Sequence, residues 1–131
     1  MVKKMYKQYI IDTNKNICKD STIRKEEYLN NISNFITFAL QEENNVIENA
    51  IKVAALIKLY QPFYDGNHRT ALIIFSDILH QKEYTFDIEQ ALNDMKEHKL
   101  NIPTIYTEED TISQSYIARY SKYILDKPKS L

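Results

Sequence analysis

The sequence predicts an all-α fold, a single-domain helical bundle over residues 1–131. Three observations predict it. Apolar residues recur at i, i+3 and i+4 in several stretches of helical length, which places them on one face of a 3.6-residue period. The chain holds one Gly and three Pro, too few turn formers for an all-β fold. Its 131 residues, 44% of them hydrophobic, supply one domain with one core.

The elements follow in order. Met5, Tyr6, Tyr9 and Ile10 stand at helix-like spacing and predict a short helix over residues 1–11. Residues 12–25 carry Asp12, Thr13, Asn14, Asn16, Asp20 and Ser21 and read as a loop. Leu29, Ile32, Phe35, Ile36, Ala39 and Leu40 form a clear stripe that predicts a helix over 26–41. Asn44 or Asn45 can cap the next helix. That helix, residues 46–59, is apolar over too broad a face for a surface position and is expected to be central. Pro62 disfavours helix in the residue before it, so the element ends near Tyr60. A further helix is predicted from Asn67 to about Lys82, on Ala71, Leu72, Ile74, Phe75, Ile78 and Leu79. Residues 83–86 read as an extended connector. Asp87 can cap a helix running to about Lys99, and residues 100–106, with Pro103, form a second connector. Thr107 with Asp110 gives a capping pattern ahead of a last helix through Tyr116, Tyr120, Tyr123 and Ile124. The polar tail from Asp126 is expected to fray.

Composition narrows the function classes. The formal net charge is −1, so no strong field toward nucleic acid or a membrane surface is expected, and no direct nucleic-acid partner. The single Cys, Cys18, leaves no intrachain disulfide and fits a reducing cytoplasm. No apolar run approaches the ~20 residues of a membrane span, and the N-terminus lacks the apolar segment of a signal peptide. His68, His80, His98 and Cys18 have no zinc-ligand spacing, and neither glycine-rich phosphate-binding pattern is present.

The stretch with chemical content is Tyr60-Gln61-Pro62-Phe63-Tyr64-Asp65-Gly66-Asn67-His68-Arg69-Thr70-Ala71, between two apolar helices. It describes a tight turn whose backbone N–H groups open onto a helix N-terminus. Such a turn binds anions, because free N–H groups and the positive end of the helix dipole converge there. Gly66 permits the bend and a close backbone approach. Arg69 can grip a phosphate with its fork of donors. Asp65 can either hold a divalent cation or cap the helix. Phe63 is read as a core anchor. The residues point to a Mg–phosphate site, most simply for a nucleotide.

These residues resemble the signature of the Fic/Doc (Fido) family, His-Pro-Phe-x-Asp/Glu-Gly/Ala-Asn-x-Arg. Pro62, Phe63, Asp65, Gly66, Asn67 and Arg69 stand in the family's places. The resemblance covers residues 45–85 well, and the small size is most like Doc, a toxin of a toxin–antitoxin pair. It implies an all-α Fic fold with a small flap or hairpin over the active site, within residues 12–25. It also implies ATP as co-substrate, Mg2+ held by Asp65, and phosphates held by Gly66, Asn67, His68 and Arg69. Phosphate or AMP would pass to a hydroxyl of a target protein, which for Doc is a translation elongation factor; an antitoxin would be a further partner. The self-inhibitory pattern of some members is half matched at Thr22–Glu26 and Thr104–Glu108, each followed by Glu, and is read as coincidence.

One position departs. The family's first residue is His, the general base; here it is Gln61. An amide donates and accepts hydrogen bonds but takes no proton at neutral pH. Loss of a general base costs about 10²–10⁴ in rate. Three explanations stand: a degenerate member that binds without transferring, transfer by orientation and charge alone, or an introduced change. His68 is either a phosphate contact or a replacement base. Leu72 stands where many AMP-transferring members carry a second Arg, which favours the Doc-like arrangement. The alternative function is a non-catalytic nucleotide- or protein-binding module built on the same groove.

Overall fold

The computed structural model describes residues 6–126. Among them are six helices and one small sheet: α1 (Lys7–Ile17), α2 (Glu26–Gln41), α3 (Val46–Tyr60), α4 (Asn67–Gln81), β1 (Thr85–Phe86), α5 (Ile88–Lys96), α6 (Gln114–Ser121) and β2 (Ile124–Asp126). The architecture is the expected all-α one. Met5 and the tail beyond Asp126, both read from the sequence, lie outside the described residues.

α3 and α4 are the central pair, and they pack more closely on each other than on any other element. The broad apolar face of α3 has its reason here: Asn49, Ala50, Ile51, Val53, Ala54, Ala55, Leu56 and Ile57 are all buried. α2 covers α3, and α1 covers both α2 and α4. On the far side Phe75 of α4 meets Phe86 and Tyr120 edge to face, each with ring centroids 5.0 Å apart. Such pairs add about 0.5–1.5 kcal/mol beyond area burial. The Tyr120 hydroxyl donates to the carbonyl of Asn101 at 2.9 Å. The buried phenol, in a water-poor pocket between Tyr116 and Tyr123, holds its proton well above the usual tyrosine range.

Five local expectations are corrected. The segment 12–17 is helical, not loop, and several of its polar side chains bond within or beneath the helix. Thr13 donates from Oγ1 to the carbonyl of Tyr9 at 2.8 Å, and Gln8 Nε2 donates to Asp12 at 2.8 Å. Neither Asn44 nor Asn45 caps α3 through its side chain; Asn45 sits at the cap position in the left-handed region, φ 57°. α5 ends at Lys96 rather than Lys99, where the N–H of Lys99 folds back to the carbonyl of Asp94 at 2.7 Å. Asp110 closes its own turn, accepting from the N–H groups of Tyr106 and Thr107, and α6 starts later, at Gln114. That helix stops at Ser121, and Ile124–Asp126 pairs antiparallel with Thr85–Phe86. The cap at Asp87 is as expected, accepting from the N–H of Gln90 at 3.2 Å.

Candidate functional site

The turn between α3 and α4 is built by three devices. First, α3 ends at Gln61 in the left-handed region, φ 44° and ψ 65°, with its N–H still bonded to the carbonyl of Ile57 at 2.9 Å. A non-Gly residue held there costs about 1–3 kcal/mol, so surrounding contacts must fix it. Second, Phe63 is 0% exposed and anchors the turn in the core, as expected. Third, Asn67 closes the turn on itself. Its Oδ1 accepts from the N–H of Phe63 at 3.1 Å and its Nδ2 donates to the carbonyl of Phe63 at 2.8 Å.

Asn67 was expected to contact phosphate. Its side chain makes this two-point clamp, which leaves its backbone N–H and one amide hydrogen for a ligand. We expect Asn67→Ala to destabilise the fold by about 1–3 kcal/mol, because the N–H of Phe63 is left without its partner. Urea denaturation measures this; a loss below 0.5 kcal/mol would show that the clamp is dispensable.

Beyond the clamp the chain turns through Gly66, φ 76°, into α4. A Cβ at Gly66 would stand 2.1 Å from Cys18 Sγ and 3.1 Å from Asn14 Nδ2. The space beside this glycine is therefore filled by the end of α1. No side chain caps α4, and its first turn holds no acidic residue. The first backbone donor with a bond is the N–H of Thr70, to the carbonyl of Gly66 at 2.9 Å. The N–H groups of Asn67, His68 and Arg69 are the unpaired donors of a helix start, joined by the positive end of its dipole.

These donors open on a cleft of about 300 Å³ lined by Gln61, Tyr64, Asp65, Gly66, Asn67, His68 and Arg69. All the residues proposed from sequence are thus gathered around one cleft. The side chains of Gln61, Asp65, His68 and Arg69 are on exposed residues. Asp65 does not cap the helix; its backbone carbonyl accepts from Asn14 Nδ2 at 2.9 Å. Arg69 Nη2 lies 3.6 Å from Cys18 Sγ. Leu72, one turn on, is 0% exposed in the core, so the cleft has one guanidinium from α4. His68 and Arg69 also border a second groove of about 680 Å³, with Leu92, Met95, Lys96 and His98 on its other wall.

The individual supports that Asn14, Cys18 and Arg24 give the turn were not seen in the sequence. No hairpin forms within residues 12–25; residues 18–25 run past the turn as an irregular segment, where the flap is expected, and form a single antiparallel bridge, Ile23 to Phe63. The N–H of Arg24 donates to the carbonyl of Pro62 at 2.7 Å, and the N–H of Tyr64 to the carbonyl of Thr22 at 3.3 Å. Beneath the turn, Asn14 is 0% exposed and also donates to Thr70 Oγ1 at 3.1 Å. One signal for it existed: Asn14 lies four residues after Ile10, on the buried face of α1.

The model of the Fic/DOC family matches residues 6–79, more than half of the chain. The chain belongs to the Fic/DOC family. The match runs from α1 to the last turn of α4 and so contains the cleft, the clamp and the segment that bridges to it. Searches of curated proteins and of solved structures each returned no match.

The Fic/DOC scaffold implies a metal-bound nucleotide, and the residues fit one. No group of three or more His, Cys, Asp or Glu able to hold a metal occurs among the described residues. Mg2+ does not need such a cage: it keeps several waters and binds through one or two carboxylates together with substrate phosphates. Asp65, exposed at the lip of the cleft beside the free N–H groups, is the carboxylate that suits that mode.

Proposed function

We propose that this Fic/DOC chain is a Doc-like, ATP- and Mg2+-dependent protein-modifying transferase scaffold in which Gln61 has removed most or all of the transfer. The observation that carries the reading is the uncapped start of α4 opening into a cleft with Arg69 and Asp65 at its edge. The N–H groups of Asn67 to Arg69 and the Arg69 fork hold the phosphates, and Asp65 holds the metal, which neutralises charge on them. The nucleoside lies in the adjoining groove, over Leu92 and Met95. The acceptor hydroxyl of a target protein approaches from the Gln61 and Tyr64 side.

The buried, apolar position 72 favours transfer of the terminal phosphate over AMP transfer. In that reaction the hydroxyl oxygen bonds the γ-phosphorus, the bond from the γ-phosphorus to the bridging oxygen breaks, ADP leaves, and the hydroxyl proton passes to solvent water. Gln61 can orient the hydroxyl but cannot accept its proton. A target among translation factors, a separate antitoxin and a cytoplasmic setting belong to the same reading; no helix among the described residues is long and apolar enough to cross a membrane.

The second reading is a non-catalytic binding module, favoured by that same amide. Both readings require binding, so calorimetry with ATP tests their shared premise. Arg69→Ala should weaken binding about 10- to 100-fold, the worth of a charge-assisted hydrogen bond. Asp65→Asn should weaken it only when Mg2+ is present. Equal affinity for all three chains would remove both readings.

A further inference from the structure

Arg24 meets the turn at both its shoulders. Its guanidinium donates from Nη1 to the carbonyl of Gln61 at 2.9 Å and to that of Tyr60 at 3.4 Å. Its own N–H takes the carbonyl of Pro62 at 2.7 Å. The guanidinium carbon also stands 6.0 Å from the centre of the Tyr64 ring. One side chain thus reaches both shoulders of the turn, from a segment 36 or more residues away in sequence.

The contact at Gln61 is the informative one. A left-handed end to a helix is ordinarily made by Gly or Asn; here it falls on a glutamine, at φ 44°. The α3 carbonyls that face outward at this end are what a planar, always charged donor satisfies best. If residue 61 relaxed to a right-handed or extended backbone, its carbonyl would swing away from the guanidinium and its side chain would leave the lip of the cleft.

We propose that Arg24 is a positioning residue: it holds residue 61 in the left-handed conformation and so sets where the side chain at that position stands over the phosphate cleft. The segment around Ile23 is then a lever as well as a cover. Whatever displaces it releases residue 61, and whatever seats it fixes residue 61. That this bears on group transfer rests on the function proposed above; that Arg24 holds the backbone does not.

NMR separates the two. The reporter is φ of residue 61, 44° in the structure, read from its intraresidue HN–Hα coupling and NOE. Arg24→Ala should shift the balance between left-handed and relaxed backbone at residue 61 about tenfold toward the relaxed one, the effect of losing one charge-assisted hydrogen bond at an exposed site, and Arg24→Lys should restore part of it. Amide exchange at Tyr64, bonded to Thr22, should change far less, since the backbone pairing remains. The second arm uses the Gln61→His chain with ATP. There Arg24→Ala should lower kcat about tenfold or more and leave KM for ATP within about twofold. If Gln61→His transfers nothing, the transferase reading fails, and the coupling and NOE at residue 61 still decide the role of Arg24. An unchanged coupling and NOE at residue 61, or a rise in KM with kcat intact, would overturn the proposal.

Discussion

Gln61→His should raise transfer from ATP by about 10²–10⁴, which is the typical worth of a general base and about 3–5 kcal/mol of barrier. The reason lies in the cleft. Gln61 lines it together with Asp65 and Arg69, so every other group in the proposed reaction is already in place, and only a proton acceptor is lacking. An imidazole supplies one near neutral pH. ATP labelled separately at the α and γ phosphates, incubated with cell lysate, reads the outcome. Label on protein from γ identifies phosphate transfer, and label from α identifies AMP transfer. Label from neither would leave the binding-module reading standing and end the transferase one.

Gly66→Ala should destabilise the fold by about 2–6 kcal/mol. Two costs add. The left-handed φ of 76° costs a residue with a Cβ about 1–3 kcal/mol. The new methyl would also stand 2.1 Å from Cys18 Sγ, and overpacking of that kind typically costs about 1–3 kcal/mol. Urea denaturation of Gly66→Ala with and without Cys18→Ala separates the two. Removing Sγ should recover the packing part and leave the backbone part. An equal loss in both backgrounds would show that α1 does not press on the turn.

The helices of the centre were legible in the sequence because their signal is local. α2 and α4 start where the periodicity starts, and α3 shows its central place by being apolar nearly all round. The residues around the cleft were legible for a related reason: the turn is one continuous stretch between two such helices. Its supports were not. Asn14, Cys18 and Arg24 reach it across 51, 51 and 37 positions, and no spacing within a window encodes such pairings. Polar composition over 12–25 suggested a loop, yet Thr13 and Asn14 are buried polar residues of a helix whose partners lie elsewhere in the fold. The end of the chain was misread for the opposite reason. Tyr120, Tyr123 and Ile124 keep a helical rhythm, but pairing with Thr85–Phe86 outweighs it and turns the chain extended.

The Tyr9 hydroxyl donates to Asp77, Asn14 holds the carbonyl of Asp65, and Arg24 holds that of Gln61. Each of these links joins a residue from the first quarter of the chain to one before position 78. A ribosome that has released 80 residues has therefore already delivered both ends of every one of them. The cradle can begin to assemble on the nascent chain before α5, which walls the adjoining groove, has been made. That wall then arrives as a late addition to a part already shaped.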